Sequence, residues 1–320
     1  MTVAFLFYSQ AAQPGIFFTP FMHMARSNRS IFFALAANIA IGIIKFIAGS
    51  ISKSSAMVSE GVHSMVDSVN ELLLLYGIYR SNRKKDRTHP FGYGRELYFW
   101  SFIVSILIFG LGAGVSFYQG YNHLRSPSLT QHLGWNYIVL ALSFLIDGSS
   151  FLVALRNFNK KRESGSLWTA IRKSKDPASF MVLFEDGAAM LGVFAVAICL
   201  LLEGWTRNPY LDGIASVLVG LILTLASALL ARESRSLLMG EGISEKTERQ
   251  IISIIENEPS VIKVKKFFSL YESPEEVLIV VIISFQLQMS AERLSEKMAG
   301  LKSRIKERFG RINYIIMQPE

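Results

Sequence analysis

Six apolar stretches decide what this chain can fold into. They cover roughly residues 31–50, 55–79, 97–119, 135–155, 177–202 and 210–230. Each is close to the ~20 residues that a helix needs to cross about 30 Å of hydrocarbon. In lipid, only helices and closed barrels satisfy every backbone polar group, and unbroken apolar runs of this length do not carry a barrel's alternating pattern. Hydrophobic residues make up 51% of the 320 and charged residues only 18%, with a mean hydropathy of +0.34. A soluble domain has nearer a quarter charged residues. The chain therefore reads as a multi-pass membrane protein embedded in a lipid bilayer.

Charge sets its orientation. The net charge is +8, but the 12 basic and 12 acidic residues from Leu237 onward balance, so the excess lies in the first 236 residues. It concentrates in two loops: Arg80, Arg83, Lys84, Lys85, Arg87 and Arg95 after the second stretch, and Arg156, Lys160, Lys161, Arg162, Arg172, Lys173 and Lys175 after the fourth. The loops after the third and fifth carry only Arg125 and Arg207. Cytoplasmic loops hold the excess of Lys and Arg, so both basic loops are expected in the cytoplasm, and so are both termini. Six spans give the same answer. Basic charge confined to such loops speaks for topology and against a nucleic-acid partner.

Smaller signals refine this picture. The lone Cys199 excludes disulfides within the chain and a cysteine metal site. Residues 1–27 form an N-terminal segment that is apolar at first but lacks the basic region of a cleaved signal. Asp176 and Pro177 suit the start of the fifth helix. Trp100, Trp135, Trp168 and Trp205 lie near span ends or in loops, as in an aromatic belt. Gly110, Gly112 and Gly114 allow close packing of the third helix.

Past Arg235 the pattern changes. Ser244 is placed to cap a helix with Ile251, Ile254 and Ile255 on one face. "VIKVKKFFSLYES" and "EVLIVVIISFQLQ", separated by "SPEE", read as a β-hairpin. A second helix has Leu294, Met298, Leu301 and Ile305 as its stripe and Gly310 as its expected stop. "RINYIIMQ" closes as a strand. The order α-β-β-α-β suggests an α+β, ferredoxin-like domain. The expected division is thus 1–27, a six-helix transmembrane domain over 28–236, and a cytoplasmic domain over 237–320.

Within the spans lie groups that lipid rejects. An ionisable side chain mid-membrane costs about 2.5–3.5 kcal/mol on insertion scales. His63 and Asp67 are spaced i, i+4, so they share a helix face and could hold a divalent metal. A structural hydrogen-bonded pair between helices is the alternative. Glu185 and Asp186 are adjacent carboxylates in the fifth helix, about 100° apart around its axis. Both line one site only if it lies between their directions. Asn70 shares the face of His63 and Asp67. Asp147 lies in mid-span in the fourth helix, where it could line the same cavity. Lys45 could pair with a carboxylate or snorkel to an interface. Glu60 and Glu71 suit helix contacts or the cavity wall better than metal binding.

Three stretches, "EGVHSMVDSVNE", "HPFGYGRELYFW" and "EDGAAMLGV", together resemble the cation diffusion facilitators, a family of proton-coupled zinc and manganese exporters. The last most resembles the branch of the ninth human zinc transporter. The resemblance implies six transmembrane helices, a cytoplasmic ferredoxin-like domain and a homodimer formed through it. It also implies that His63 and Asp67 are transport-site ligands and that Asp186 is the carboxylate of the fifth helix. The usual fourth ligand falls at Val182, which cannot bind metal, so Glu185 or water would fill that place. An auxiliary metal site that many relatives carry corresponds to Asp86 and His89, with Tyr93 where some members have a third ligand, histidine; a two-ligand site would be weak, and a structural loop is the favoured reading. No histidine lies beyond His132, and Glu272, Glu275 and Glu276 alone would bind zinc poorly.

The expected function is efflux of a divalent cation from the cytoplasm in exchange for protons, across a bacterial inner membrane. Zinc is the first candidate, with manganese, iron and cobalt also suited, and the metal is substrate; no prosthetic group is expected. A non-transporting structural or heterodimer partner of the same family is the alternative. A metalloenzyme would need a substrate-binding loop that is not evident, so no enzymatic activity is expected.

Overall fold

The structure is a computed structural model that describes residues 20–161, 170–171, 174–286 and 289–320. Residues 1–19, Arg162, Trp168, Arg172 and Lys173 lie outside the described residues. Among those described, the helices are α1 (Pro20–Ser52), α2 (Ser55–Ser81), α3 (Glu96–Leu107), α4 (Gly114–Arg125), α5 (Leu133–Lys161), α6 (Pro177–Thr206), α7 (Tyr210–Met239), α8 (Glu245–Glu256) and α9 (Ala291–Arg308). The strands are β1 (Val261–Ser273), β2 (Glu276–Phe285) and β3 (Ile312–Pro319).

Two compact units result. One joins the chain up to Gly77 with Trp100–Ser234; the other joins Ile78–Phe99 with Arg235–Glu320. The first is helical. Four helical segments, Glu96–Arg125, Leu133–Lys160, Pro177–Thr206 and Tyr210–Met239, are long and apolar enough to cross a membrane. α1 contributes a shorter apolar part, Asn38–Ser52. α2 is long enough, but Glu60, Asp67 and Glu71 set it apart. α5 packs along α6 and against α1. The α5–α6 contact includes the Tyr137 hydroxyl, which donates to the Leu200 carbonyl at 3.0 Å. Trp135 and Trp205 lie at the start of α5 and the end of α6 and are largely exposed.

Three local readings are corrected. The third span is not one α-helix: residues Ile108–Ala113 form a π-helical segment between α3 and α4. Its glycines hold the α-helical hydrogen-bond ladder weakly, and only Gly112 has a close neighbour, Leu223. Asp176 does occupy the N-cap of α6, yet its carboxylate accepts from the Ser179 hydroxyl at 2.5 Å and not from a backbone N–H. α9 ends at Arg308 with Phe309 as its C-cap, and Gly310 does not take the positive φ of a glycine stop.

The second unit has a three-stranded sheet in the order β1-β2-β3. β1 and β2 form the antiparallel hairpin; β3 returns through α9 to lie parallel to β2. Alternate residues of β2, from Val277 to Phe285, point into the core. There they meet Ile251 and Ile255 of α8, Leu301 and Ile305 of α9, and Ile315 and Met317 of β3. Ser244 caps α8 by accepting the Thr247 N–H at 3.2 Å. The loop after α2 belongs to this unit. Arg95 pairs with Glu272 at 3.2 Å, Lys85 with Glu276 at 3.6 Å, and Phe91 packs edge-on against Tyr314. A side chain at Gly94 would strike the Glu272 carbonyl, so glycine permits this approach.

Candidate metal site

The helical hairpin α1–α2 carries half of the site. Its tight turn places Lys53 at φ 58°. The start of α2 is then held by another helix: the Asp212 carboxylate of α7 accepts the Ser55 N–H at 2.5 Å, the Ala56 N–H at 3.3 Å and the Ser55 hydroxyl at 2.7 Å, and it also accepts from the Ser54 hydroxyl. A carboxylate at orphan N–H groups is the usual remedy for a helix start, here supplied from afar. Close contact fixes the rotation of α2 against α1. A Cβ at Gly49 would lie 2.6 Å from the Val58 nitrogen, and one at Gly61 would lie 2.8 Å from the Phe46 nitrogen.

So held, α2 turns His63, Asp67 and Asn70 inward. His63 and Asn70 are buried, whereas the Asp67 side chain is 21% exposed. His63 Nδ1 lies 3.3 Å from Asp67 Oδ1, without hydrogen-bond alignment. From α6, both Glu185 and Asp186 are buried. Asn70 donates to Glu185 Oε1 at 3.1 Å, and Ser150 of α5 donates to Asp186 Oδ2 at 2.8 Å. Asp67 is within electrostatic reach of Glu185, Asp147 and Asp186. The two pairs thus lie near one another, one on α2 and one on α6, with α5 alongside.

Their polar atoms are conspicuously under-bonded. Among the described residues, both ring nitrogens of His63, Asp67 Oδ1, Asn70 Oδ1, Asp147 Oδ2 and Glu185 Oε2 are buried without a hydrogen-bond partner. Each such atom costs about 1–3 kcal/mol. The donor set, imidazole with carboxylates, suits zinc, manganese, cobalt and iron(II). No three His, Cys, Asp or Glu side chains among the described residues come close enough to close round an ion together. Binding would have to draw the α2 and α6 pairs together. Val182, one turn before Asp186, is buried in an apolar cluster with Ala154, Phe158 and Leu183.

In the loop after α2, Asp86 is occupied with local bonds. It accepts the Thr88 and His89 N–H groups at 2.9 and 2.8 Å and the Tyr93 hydroxyl at 2.6 Å. The Tyr93 bond first, then the backbone, holds its carboxyl below the usual carboxylate range. His89 Nδ1 stands 3.6 Å from it. Arg95 pairs with Glu272, and Glu96 pairs with Arg80 at 2.7 Å. Glu272, Glu275 and Glu276 are each ion-paired, to Arg95, Arg311 and Lys85.

Sequence reasoning passed over Asp212, Ser150 and Glu203, the last of which accepts the Thr130 N–H at 2.7 Å and the Thr130 hydroxyl at 2.9 Å. Asp212 and Glu203 are acids at the edges of apolar runs, which was a readable signal; Ser150 had none. Lys45 pairs with a carboxylate and does not snorkel. It is 1% exposed and donates to Glu60 at 3.2 Å and to Ser64 at 3.0 Å.

Comparison with known proteins adds an independent line. The family model "Cation efflux transmembrane domain" matches residues 31–239. The human "Proton-coupled zinc antiporter SLC30A9, mitochondrial" is 36% identical over 219 residues, covering 68% of this chain and 39% of that protein. "Metal tolerance protein C4" of Arabidopsis thaliana is 33% identical over 254 residues, covering 79% and 54%. "Manganese efflux system protein MneP" of Bacillus subtilis is 24% identical over 229 residues, covering 72% and 74%. The chain thus spans about two fifths of the length of the SLC30A9 proteins it matches. Among solved structures, a nickel form of a MamM CTD variant covers 24% of this chain and 96% of its own, at 18% identity and a TM-score of 0.23.

Proposed function

Because this chain belongs to the cation efflux family, we propose that it is a transporter that exports a divalent metal cation in exchange for protons. One observation carries the proposal: buried polar atoms without partners on α2, α5 and α6, in helices otherwise built for lipid. Lipid supplies no partner for such atoms; a dication or protons would. His63, Asp67, Glu185 and Asp186 are the proposed ligands. Metal needs His63 neutral and the carboxylates ionised, so protons and metal compete for the same lone pairs. An acidic exterior would then drive release outward. The relatives' names, a proton-coupled zinc antiporter and a manganese efflux system, favour zinc first and manganese next.

The proposed frame is six spans, with α1 and α2 joining the four apolar segments, both termini in the cytoplasm, and a ferredoxin-like domain beginning near Leu237. A homodimer formed through that domain is supported by the apolar character of its outer sheet face, where Phe268 and Ile316 are exposed. The bilayer would be a bacterial inner membrane. Zinc uptake into inside-out vesicles under a pH gradient tests the function. Asp67→Ala and Asp186→Ala should each abolish uptake while the protein still folds; normal uptake by either rejects the assignment. Val182 in its apolar cluster favours the second reading, a non-transporting partner. Zinc binding by the purified protein, lost in Asp186→Ala, would argue against it.

A further inference from the structure

Beside the proposed ligands lies a charge that no ligand role uses. Lys45 on α1 is buried, and its ammonium faces Glu60 Oε2 at 3.2 Å, the Ser64 hydroxyl at 3.0 Å and Asp147 Oδ2 at 3.8 Å. Ser64 is the neighbour of His63 in the chain, and the Lys45 charge acts on both His63 and Asp67. The two carboxylates are held differently. Glu60 is fully buried and pressed against α6, where a Cβ at Gly192 would lie 2.6 Å from its Oε1. Its place is fixed. Asp147 is 23% exposed, beyond hydrogen-bond range of Lys45, and its Oδ2 has no hydrogen-bond partner. It sits one turn before Ser150, the residue that holds Asp186.

We propose that Lys45 is a resident cation that limits how tightly the cavity holds a transported dication, by neutralising Glu60 and competing with the ion for Asp147. The proposal rests on the transporter reading and names the residue that tunes it. A fixed positive charge in a low-dielectric site raises the energy of any second cation nearby. A transporter needs that, because an ion held by several unopposed carboxylates enters and does not leave. Asp147 is the adjustable part. It leans toward Lys45 when the ion is absent and is drawn to the ion when it arrives. Lys45 thus tunes affinity through its charge, without touching the metal.

Breaking the Lys45–Glu60 pair from either end separates this role from mere packing. In the full chain reconstituted into liposomes, Lys45→Met should lower the zinc KM on the order of tenfold and lower kcat with it, as release slows. Glu60→Gln should raise the KM, since Lys45 then acts wholly on Asp147 and the ion. Lys45→Met/Glu60→Gln removes both charges and should restore a KM close to wild type. A structural ion pair predicts the same direction from both single variants, and that result overturns the proposal. Asp147→Asn, which leaves the pair intact, should weaken zinc binding severalfold by titration calorimetry; unchanged binding overturns the proposal even if Lys45→Met does not fold. A wild-type protein that neither binds nor moves zinc, manganese, cobalt or iron(II) overturns this proposal and the transporter reading together. Wild-type transport with same-direction shifts overturns this one alone.

Discussion

Asp212 does for α2 what a capping residue normally does for its own helix. It meets two backbone N–H groups and two hydroxyls from a position more than 150 residues away in the chain. Replacing it by alanine leaves those donors buried and unpaired. The expected loss is about 1–3 kcal/mol, read as a lower melting temperature of the purified protein in detergent, with Asp212→Asn recovering part of it. Glu258 is a second residue whose surroundings define its role. Lys297 at 2.9 Å, and then Arg304 at 2.5 Å, hold its carboxyl below the usual range. The ion pairs therefore stabilise the folded unit above the unfolded glutamate value of about 4.3, and that contribution is lost as pH falls through the lower folded value. Protection of the β2 amides, corrected for the slower intrinsic exchange at acid pH, should fall over that acid interval, and Glu258→Gln should make the protection less sensitive to it. His63 with Asp67, and Glu185 with Asp186, were visible in the sequence because acids and imidazole stand out in apolar runs. Their partners Asn70 and Ser150 were harder to assign, since polar neutral residues occur in spans for many reasons.

At the scale of elements, the α1–α2 hairpin sets the geometry that the site depends on. Two glycines allow the helices to touch through their backbones. Gly61→Val should force α1 and α2 apart, costing about 1–3 kcal/mol or more. Because Lys45 and His63 lie on opposite sides of that contact, the same variant should also lose vesicle zinc uptake, while a valine at exposed Gly300 should leave both melting and uptake unchanged. Helix and strand positions in the second unit were legible, since the two periods, 3.6 and 2, are written along the chain. Ile251 and Ile255, and alternate residues from Val277 to Phe285, fall in the core as their spacing requires. Helix interruption was not legible. The glycines at 110, 112 and 114 read as packing positions, and the observed π-helical segment depends on how neighbouring helices meet them. The end of α9 was legible, since Gly310 follows the C-cap Phe309, but the absence of a left-handed turn there was not.

For the whole molecule, six spans with both ends on one side make a concrete expectation. Single cysteines at Asn82 and Glu320 should be labelled by an impermeant maleimide from the same face, and one at Gln131 from the other. The native Cys199 is buried and should give little background. Labelling of Asn82→Cys and Gln131→Cys from one face would reject the arrangement. What the sequence determined by itself was class and outline: membrane-spanning helices, a terminal α-β-β-α-β module, and acids placed where lipid penalises them. Apolar length, charge bias and periodicity are local properties, so they survive without coordinates. Only the tertiary structure decided that Lys45 meets Glu60, that Asn70 meets Glu185, that Asp212 begins α2 and that the loop after α2 joins the sheet. Those pairings depend on which helices are neighbours and how each is rotated, and such distances between remote residues are not carried by local pattern.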